Sequence, residues 1–465
     1  MKYTILVNKE NKIKESYFKH LNLVSTKLVD DEVCQVEEVT YQAYLKLKEK
    51  LLEQGIEVGL CSAYRSLQTQ QEIYDEFVIK YGVEYASATV APVGTSEHHT
   101  GLALDLALKI NGSYEWDSQK LMSYEKTYQQ IHSLLKDFGF ILRYPKDKEE
   151  ITDYPYEPWH IRYVGLIPAQ IISSNHWTLE EYLTKFSTVL YINKEKGKTS
   201  FDMVHEISNL FGIKRVGHTG TLDPLAEGVL LVTVGQATKI AELLTAEDKE
   251  YEAGVLLGVS TDTLDITGNI IKSKSVVEPL HLEQVLKRFQ KTYLQEVPIY
   301  SAVKVQGKKL YEYARNNQQV ELPKKEVTIK KIELLANDKN TFIFKALVTK
   351  GCYIRSLIAD IGKELNTYAT MTTLTRTKQG SVSITETNTL AELKQGKIKF
   401  HSIEEVVNFP TIEVSSELEA KIKCGIPLEN TFAIEKKVLF KNRTNQILGI
   451  YEYKNGKLRT WKNFR

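Results

Sequence analysis

Gly217-His218-Thr219-Gly220-Thr221-Leu222-Asp223-Pro224-Leu225-Ala226-Glu227-Gly228-Val229-Leu230 carries one central carboxylate, Asp223, with two glycines upstream and a proline directly after it. Glycine lets backbone approach a ligand closely or take positive φ. Pro224 disfavours the helical region for Asp223 and pushes it toward extended backbone. The apolar run Val229 to Val234 reads as a buried strand. An acid on a constrained loop before a strand is a plausible active-site placement, but an Asp in a Gly/Pro loop is, taken alone, more often a solvated turn residue. The rest of the chain has to decide between the two.

The 465 residues leave room for roughly two to four domains. With 42% hydrophobic and 26% charged residues the composition is that of a globular chain, and no stretch is long enough to cross a bilayer. A net charge of +2 means that any nucleic-acid surface must be a local patch. Cys34, Cys61, Cys352 and Cys424 are scattered singly, so neither a cysteine zinc site nor a disulfide framework is suggested. The N-terminal Met1-Lys2-Tyr3-Thr4-Ile5-Leu6-Val7-Asn8 is too short in apolar residues for a signal-peptide core. A cytoplasmic protein with no membrane partner, and a monomer, is the expectation.

In the first part, Tyr41, Tyr44, Leu45, Lys48, Leu51 and Leu52 share one side of a helix that Gly55 ends. Ile56 to Leu60 reads as a strand, followed by a helix with Leu67, Ile73 and Phe77 inward. In Ser96-Glu97-His98-His99-Thr100-Gly101-Leu102-Ala103-Leu104-Asp105-Leu106-Ala107-Leu108 the alternation is strict. The leucines take one face, and Asp105 takes the other between two alanines. Downstream, Glu157-Pro158-Trp159-His160-Ile161-Arg162-Tyr163 puts His160 and Arg162 on one face. Two histidines and a carboxylate, with a further carboxylate kept free, are what a catalytic zinc site requires. Satisfied structural histidines fit the same residues.

Tyr64-Arg65-Ser66, Ser96-x-His98-x-x-Gly101-x-Ala103-x-Asp105 and Glu157-Pro158-Trp159-His160 resemble the motifs of VanY-like D-alanyl-D-alanine carboxypeptidases, over nearly all of residues 1–186. The resemblance implies that His98, Asp105 and His160 ligate Zn(II), that Glu157 is the general base, that Arg65 stabilises the oxyanion or binds substrate, and that Ser96 contacts the terminal carboxylate. Two departures stand out: His99 occupies a frequent Gln position and competes for the ligand role, and Ala63 replaces a frequent Gly. The implied substrate is a peptidoglycan precursor or muropeptide ending in D-Ala, cleaved with D,D- or L,D-specificity.

From Val189-Leu190-Tyr191-Ile192-Asn193 a new strand begins, with no Gly/Ser- or Pro-rich linker before it. Thr199 or Ser200 is a plausible N-cap for the helix that follows. Between Ile299 and Lys331 lie eight Lys/Arg residues, Lys304 among them, with Tyr300, Tyr311 and Tyr313 interleaved. Phosphate contacts with base stacking would look like this, and so would a solvated charged face. Phe342, Phe344, Ala346 and Val348 alternate along a strand that ends at Lys350-Gly351-Cys352-Tyr353-Ile354-Arg355. Ile354, Leu357, Ile358, Ile361 and Leu365 then stripe a helix whose first turn holds Arg355.

Together the Asp223 loop, Tyr300-Ser301-Ala302-Val303-Lys304, Leu310-Tyr311-Glu312-Tyr313-Ala314-Arg315 and Gly351-x-Tyr353-Ile354-Arg355 resemble the TruB family of tRNA pseudouridine synthases over residues 188–465. The family modifies uridine 55 in the T loop of tRNA without a cofactor. What this implies here is Asp223 as the catalytic carboxylate, Arg355 paired with it, and Tyr251 stacked on the flipped base. His218, Tyr353 and Lys304 would bind the RNA or line the pocket. Glu195, Lys198 and Cys352 depart from common family residues.

The expected fold class is α+β. A small zinc-peptidase domain (antiparallel sheet with helices) spans 1–186, a pseudouridine synthase domain with a mixed sheet spans 188–405, and a small β-rich PUA-like domain spans 406–465. A bifunctional enzyme is the first functional reading. An active synthase with a non-catalytic peptide- or metal-binding N-terminal module is the second, and a pure RNA-binding protein the third.

Overall fold

A computed structural model describes residues 3–276 and 281–464; Met1 and Lys2, read above as part of the N-terminus, lie outside the described residues. The chain divides into two compact units. Met1–Phe186 with Glu206–Lys214 form one, and Ser187–His205 with Arg215–Arg465 the other.

In the first unit the strand Ala103–Ile110 lies between Val58–Ser62 and His160–Tyr163, with Phe140–Leu142 beyond and Ser113–Glu115 folded back on it, all antiparallel. The register pairs Asp105 with His160 on one side and with Ser62 on the other, where a bulge interrupts the ladder after Leu60. Leu104, Leu106 and Leu108 pack with Val58, Leu60, Tyr128, Ile131, Leu135, Phe140 and Ile161. Each such leucine contributes about 2 kcal/mol by leaving water. The helix Glu38–Glu53 adds Tyr44, Leu47 and Leu51 to that core and ends before Gly55 at φ 78°. Two expectations fail here. Leu45 and Leu52 are exposed, because the buried stripe runs through Leu47 instead. In the helix Leu67–Tyr81 only Gln70 is buried and Leu67 is exposed; Ile73 and Phe77 line a cavity.

The second unit is built on a nine-stranded mixed sheet. Its main path runs Thr292–Glu296, Lys324–Asp338, Thr341–Val348, Lys249–Leu257, Ala369–Gln379, Glu227–Gly235, Ser187–Lys194. Every neighbouring pair on that path is antiparallel except Glu227–Gly235 against Ala369–Gln379. That parallel junction pairs Glu227 and Gly228, four and five residues after Asp223, with Thr375 and Arg376. It demands glycine at 228, where φ is 102° and a Cβ would lie 2.3 Å from the Arg376 carbonyl oxygen. The helix Ile354–Glu364 covers the sheet with Ile354, Leu357, Ile358 and Ile361. A five-stranded sheet closes the chain, ordered Thr411–Glu413, Lys437–Lys441, Ile447–Lys454, Lys457–Asn463, Leu428–Glu429. Leu439, Ile450 and Phe464 from this part share one core with Val189, Val229 and Leu231. Among the described residues no helix is long and apolar enough to cross a membrane.

Candidate active sites

The Asp223 loop is pinned on both sides of its acid. Leu222 N–H donates to Ser200 Oγ at 2.9 Å and Gly197 N–H donates to the Pro224 carbonyl at 2.7 Å. Ser200 is in place because Thr199 caps its helix, its Oγ1 accepting from Asp202 N–H at 3.0 Å while Asp202 Oδ2 accepts from Thr199 N–H. Arg355 reaches the loop from the first turn of Ile354–Glu364, with Nη2 2.9 Å from Asp223 Oδ2. The guanidinium is fixed by donating to the carbonyls of Tyr300 at 3.0 Å and Thr263 at 3.1 Å. Asp265 stands 4.0 Å from it as a second, weaker partner. Although 35% of the Asp223 side chain is open to solvent, the surrounding walls desolvate the carboxylate and push its pKa up; Arg355 pulls it back.

Asp223, Tyr251, Tyr353 and Arg355 line one cavity of about 320 Å³. Tyr251 stands buried on the strand Lys249–Leu257, opposite Ala346 and Arg376 in the register. Tyr353 is held by its N–H donating to Gln295 Oε1 at 2.8 Å. His218 and Lys304 are not among the lining residues. The His218 Nδ1 accepts from Gly220 N–H at 3.3 Å, bracing the turn before Asp223, and Lys304 is exposed on a short strand.

Among the lining residues that the sequence did not single out are two cations, Arg376 and Lys249. Arg376 is buried, donating to the carbonyls of Val229 and of Gly220, the latter at 3.1 Å. Lys249 donates to the carbonyls of Thr245 and Glu247 at 2.6 Å each, and burial, reinforced by Arg376, pushes its pKa down to about 8. Lys249 stands two residues before Tyr251, on the same face of their strand. Arg376 had no local signal, because its role comes from the parallel pairing of two strands far apart in the chain.

The first unit brings Arg65, Ser96, His98, Asp105, Glu157 and His160 around a second cavity, of about 270 Å³. His98, Asp105 and His160 each offer an atom within 4.8 Å of the others, all three residues buried. His98 Nδ1 lies 2.6 Å from the Ala63 carbonyl, so Nδ1 carries the proton and Nε2 the lone pair. That lone pair faces Asp105 Oδ2 at 3.2 Å. Burial, then Arg65, lowers the His98 pKa to about 4, so at neutral pH two acceptors confront each other. Asp105 Oδ1, 3.0 Å from His160 Nδ1, is buried with no fixed hydrogen-bond donor. A cation among these three residues would satisfy all of them, so the donor set fits a Zn(II) ion with nitrogen and oxygen ligands.

His99 is not a rival ligand. It is fully buried, its Nδ1 meets the Arg65 carbonyl at 2.8 Å and its Nε2 accepts from Gly94 N–H at 3.1 Å, so both ring nitrogens are spent on the fold. Glu157 Oε2 lies 3.7 Å from His160 Nδ1, and burial pushes its pKa up to about 7. Arg65 donates through Nε and Nη2 to Ser62 Oγ and through Nη2 to Asp105 Oδ2 at 3.1 Å. Ser96 Oγ accepts from His98 N–H at 3.3 Å, which fixes the turn.

A family model described as "TruB family pseudouridylate synthase (N terminal domain)" matches residues 208–354. The tRNA pseudouridine synthase B of Caldanaerobacter subterraneus is 41% identical over 256 residues, covering 54% of this chain and 89% of that protein. That of Bacillus pumilus is 42% identical over 262 residues, 53% of this chain and 85% of the relative. The chain belongs to the TruB family. Ahead of its TruB part it carries a VanY-like carboxypeptidase domain: a second family model, "D-alanyl-D-alanine carboxypeptidase", matches residues 34–166. A crystal structure of a mutant vancomycin resistance D,D-pentapeptidase VanY in complex with Zn(II) is 32% identical, covers 39% of this chain and 99% of that one, and has a TM-score of 0.34.

Proposed function

We propose that this chain isomerises uridine 55 in the T loop of tRNA and, on its N-terminal unit, removes a terminal D-Ala from a cell-wall precursor or muropeptide in the cytoplasm. The observation that carries the first activity is Asp223, held at 2.9 Å by a buried arginine beside two tyrosines in one cavity. In the reaction the bond from uracil N1 to C1′ breaks, the base turns, C5 bonds to C1′ and loses its proton, and N1 takes up a proton in place of its bond to the sugar. No atom is gained or lost, so no cofactor is called for. Asp223 acts as an ionised carboxylate at C1′, which Arg355 favours. Tyr251 stacks on the uracil, which must leave the base stack to be reached, and helps remove the C5 proton. Tyr353 completes the wall, His218 holds the loop turn and meets the opened T loop, and Lys304 contacts phosphate. The C-terminal sheet adds RNA contact. Asp223→Asn and Asp223→Ala are expected to bind tRNA and form no pseudouridine; turnover in either variant sinks the assignment.

For the second activity, His98 Nε2, Asp105 and His160 Nδ1 would hold Zn(II). Bound there, the ion would polarise the scissile carbonyl and acidify water. The chain's own groups do the rest. Glu157, with its pKa near 7, takes a proton from water and returns it to the leaving amine. Arg65 Nη1, without a hydrogen-bond partner among the described residues, takes the substrate carboxylate or the developing oxyanion, and Ser96 assists at the carboxylate. The three domains run 1–186, 188–405 and 406–465 on this reading. Release of D-alanine from D-Ala-terminated peptides by zinc-loaded protein, absent in Glu157→Gln, is the test; no release, or equal release by the variant, removes the peptidase.

A further inference from the structure

Glu97 is a buried charge for which the proposed peptide hydrolysis has no use. Its side chain is 0% exposed and sits between Ser96 and His98 on the turn that enters the central strand. Oε1 accepts from Arg143 Nε at 2.7 Å and from Arg162 Nη1 at 2.5 Å. Both arginines are themselves buried and anchored at their far sides. Arg143 forks onto Glu180, Nη1 to Oε2 at 3.0 Å and Nη2 to Oε1 at 2.6 Å. Arg162 Nη2 donates to the carbonyls of Tyr3 at 3.1 Å and Ile5 at 2.8 Å. Two fixed guanidiniums on one oxygen keep the carboxylate ionised and set its plane.

Oε2, the other oxygen, is buried with no hydrogen-bond partner. It lies 3.7 Å from His160 Nε2, which is also buried and also without a hydrogen-bond partner. Across the ring, His160 Nδ1 faces Asp105 Oδ1 at 3.0 Å. A donor and an acceptor, each orphaned and each the other's neighbour, form one interaction left slightly open.

We propose that Glu97 is a positioning residue: its Oε2 holds the Nε2 proton of His160, so that Nδ1 presents its lone pair to the space shared with His98 and Asp105. The inference rests on reading those three residues as a metal site. A carboxylate serves better than an amide because it makes the ring more basic as well as orienting it. Glu180 and residues 3–5 lie outside the 34–166 span that the carboxypeptidase model matches. The bracing of the site therefore draws on flanking segments of this chain.

The test uses the full chain and Zn(II), with affinity measured by competition against a chromophoric chelator. Glu97→Gln is expected to weaken zinc binding by about 10- to 100-fold while pseudouridine formation is unchanged. Glu97→Asp keeps the charge for both arginines and withdraws the acceptor from the ring, so it guards against a variant that fails to fold; it too should bind zinc more weakly. Independently of metal, ¹⁵N-histidine spectra should show a protected proton on His160 Nε2, assigned by its absence in His160→Ala, that shifts or exchanges faster in both Glu97 variants. Wild-type affinity and an unmoved Nε2 proton in both variants overturn the inference. If the wild type binds no zinc but the Nε2 proton depends on Glu97, the metal reading falls and the positioning stands.

Discussion

Replacing Arg355 with Met should convert the synthase into an enzyme that loses activity at a higher pH. On the proposed mechanism Asp223 acts as a carboxylate, and burial raises its pKa above the ordinary value; Arg355 is the strongest force opposing that rise. At the observed 2.9 Å the gross Coulomb attraction is about 6 kcal/mol for an effective dielectric constant of about 20. With 35% of the acid open to solvent, only part of that survives. An arginine beside a carboxylate favours its ionised form, so removing Arg355 leaves the desolvation of Asp223 unopposed and raises its pKa further. The acid limb of kcat/KM, followed by tritium release from tRNA carrying 5-tritiated uridine, should therefore move to higher pH. Met keeps the apolar stem packed but leaves the carbonyls of Thr263 and Tyr300 without their donor, so some loss of Tm accompanies the shift. An unmoved acid limb in a folded variant would refute the role given to Arg355.

His160→Ala should abolish binding of about one zinc per chain, read by metal analysis, whereas Glu157→Gln should retain the metal and lose about 10²–10⁴-fold in hydrolysis. Gly228→Ala should destabilise the chain by more than about 1 kcal/mol in chemical denaturation, because its Cβ would strike the Arg376 backbone at a φ of 102°. Lys194 is fully buried, donates to the carbonyls of Glu195 and Lys198, and has its pKa lowered to about 8 by burial. An unfolded lysine titrates near 10.4. Between about pH 8 and 10 the unfolded chain therefore holds the extra proton, and folding stability from this group rises with pH; below about 8 both states are protonated and the dependence vanishes. The stability of wild type minus that of Lys194→Met should grow over that window by up to about 1.4 kcal/mol per pH unit, and a constant difference would contradict it.

Much of the fold was legible because its strands alternate cleanly. Leu104, Leu106 and Leu108 against Asp105, and Phe342, Phe344 and Ala346 along their strand, declare their faces by a period of two. Amphipathic helices were less legible where the surface they cover is a cavity. Ile73 and Phe77 have the spacing of core residues and line a pocket, and Leu45 and Leu52 match a stripe whose buried members are Tyr44, Leu47 and Leu51. Periodicity reports that a face is apolar, not what lies against it.

The sequence by itself determined which residues could do chemistry. Asp223, His98, Asp105, Glu157 and His160 were recognisable because their motifs are local: a constrained loop, a turn entering an alternating strand, and another alternating run. Only the tertiary structure decided how those groups are held. It spent both ring nitrogens of His99 on backbone partners, fixed Arg355 on two carbonyls, and put Arg376 and Lys249 into the Asp223 cavity. It also aligned Arg143, Arg162 and Glu180 behind Glu97. Apart from His99 with Gly94, five residues away, those partnerships join residues tens to more than a hundred positions apart. Their signs and distances follow from sheet register and helix placement, which no short window of sequence contains.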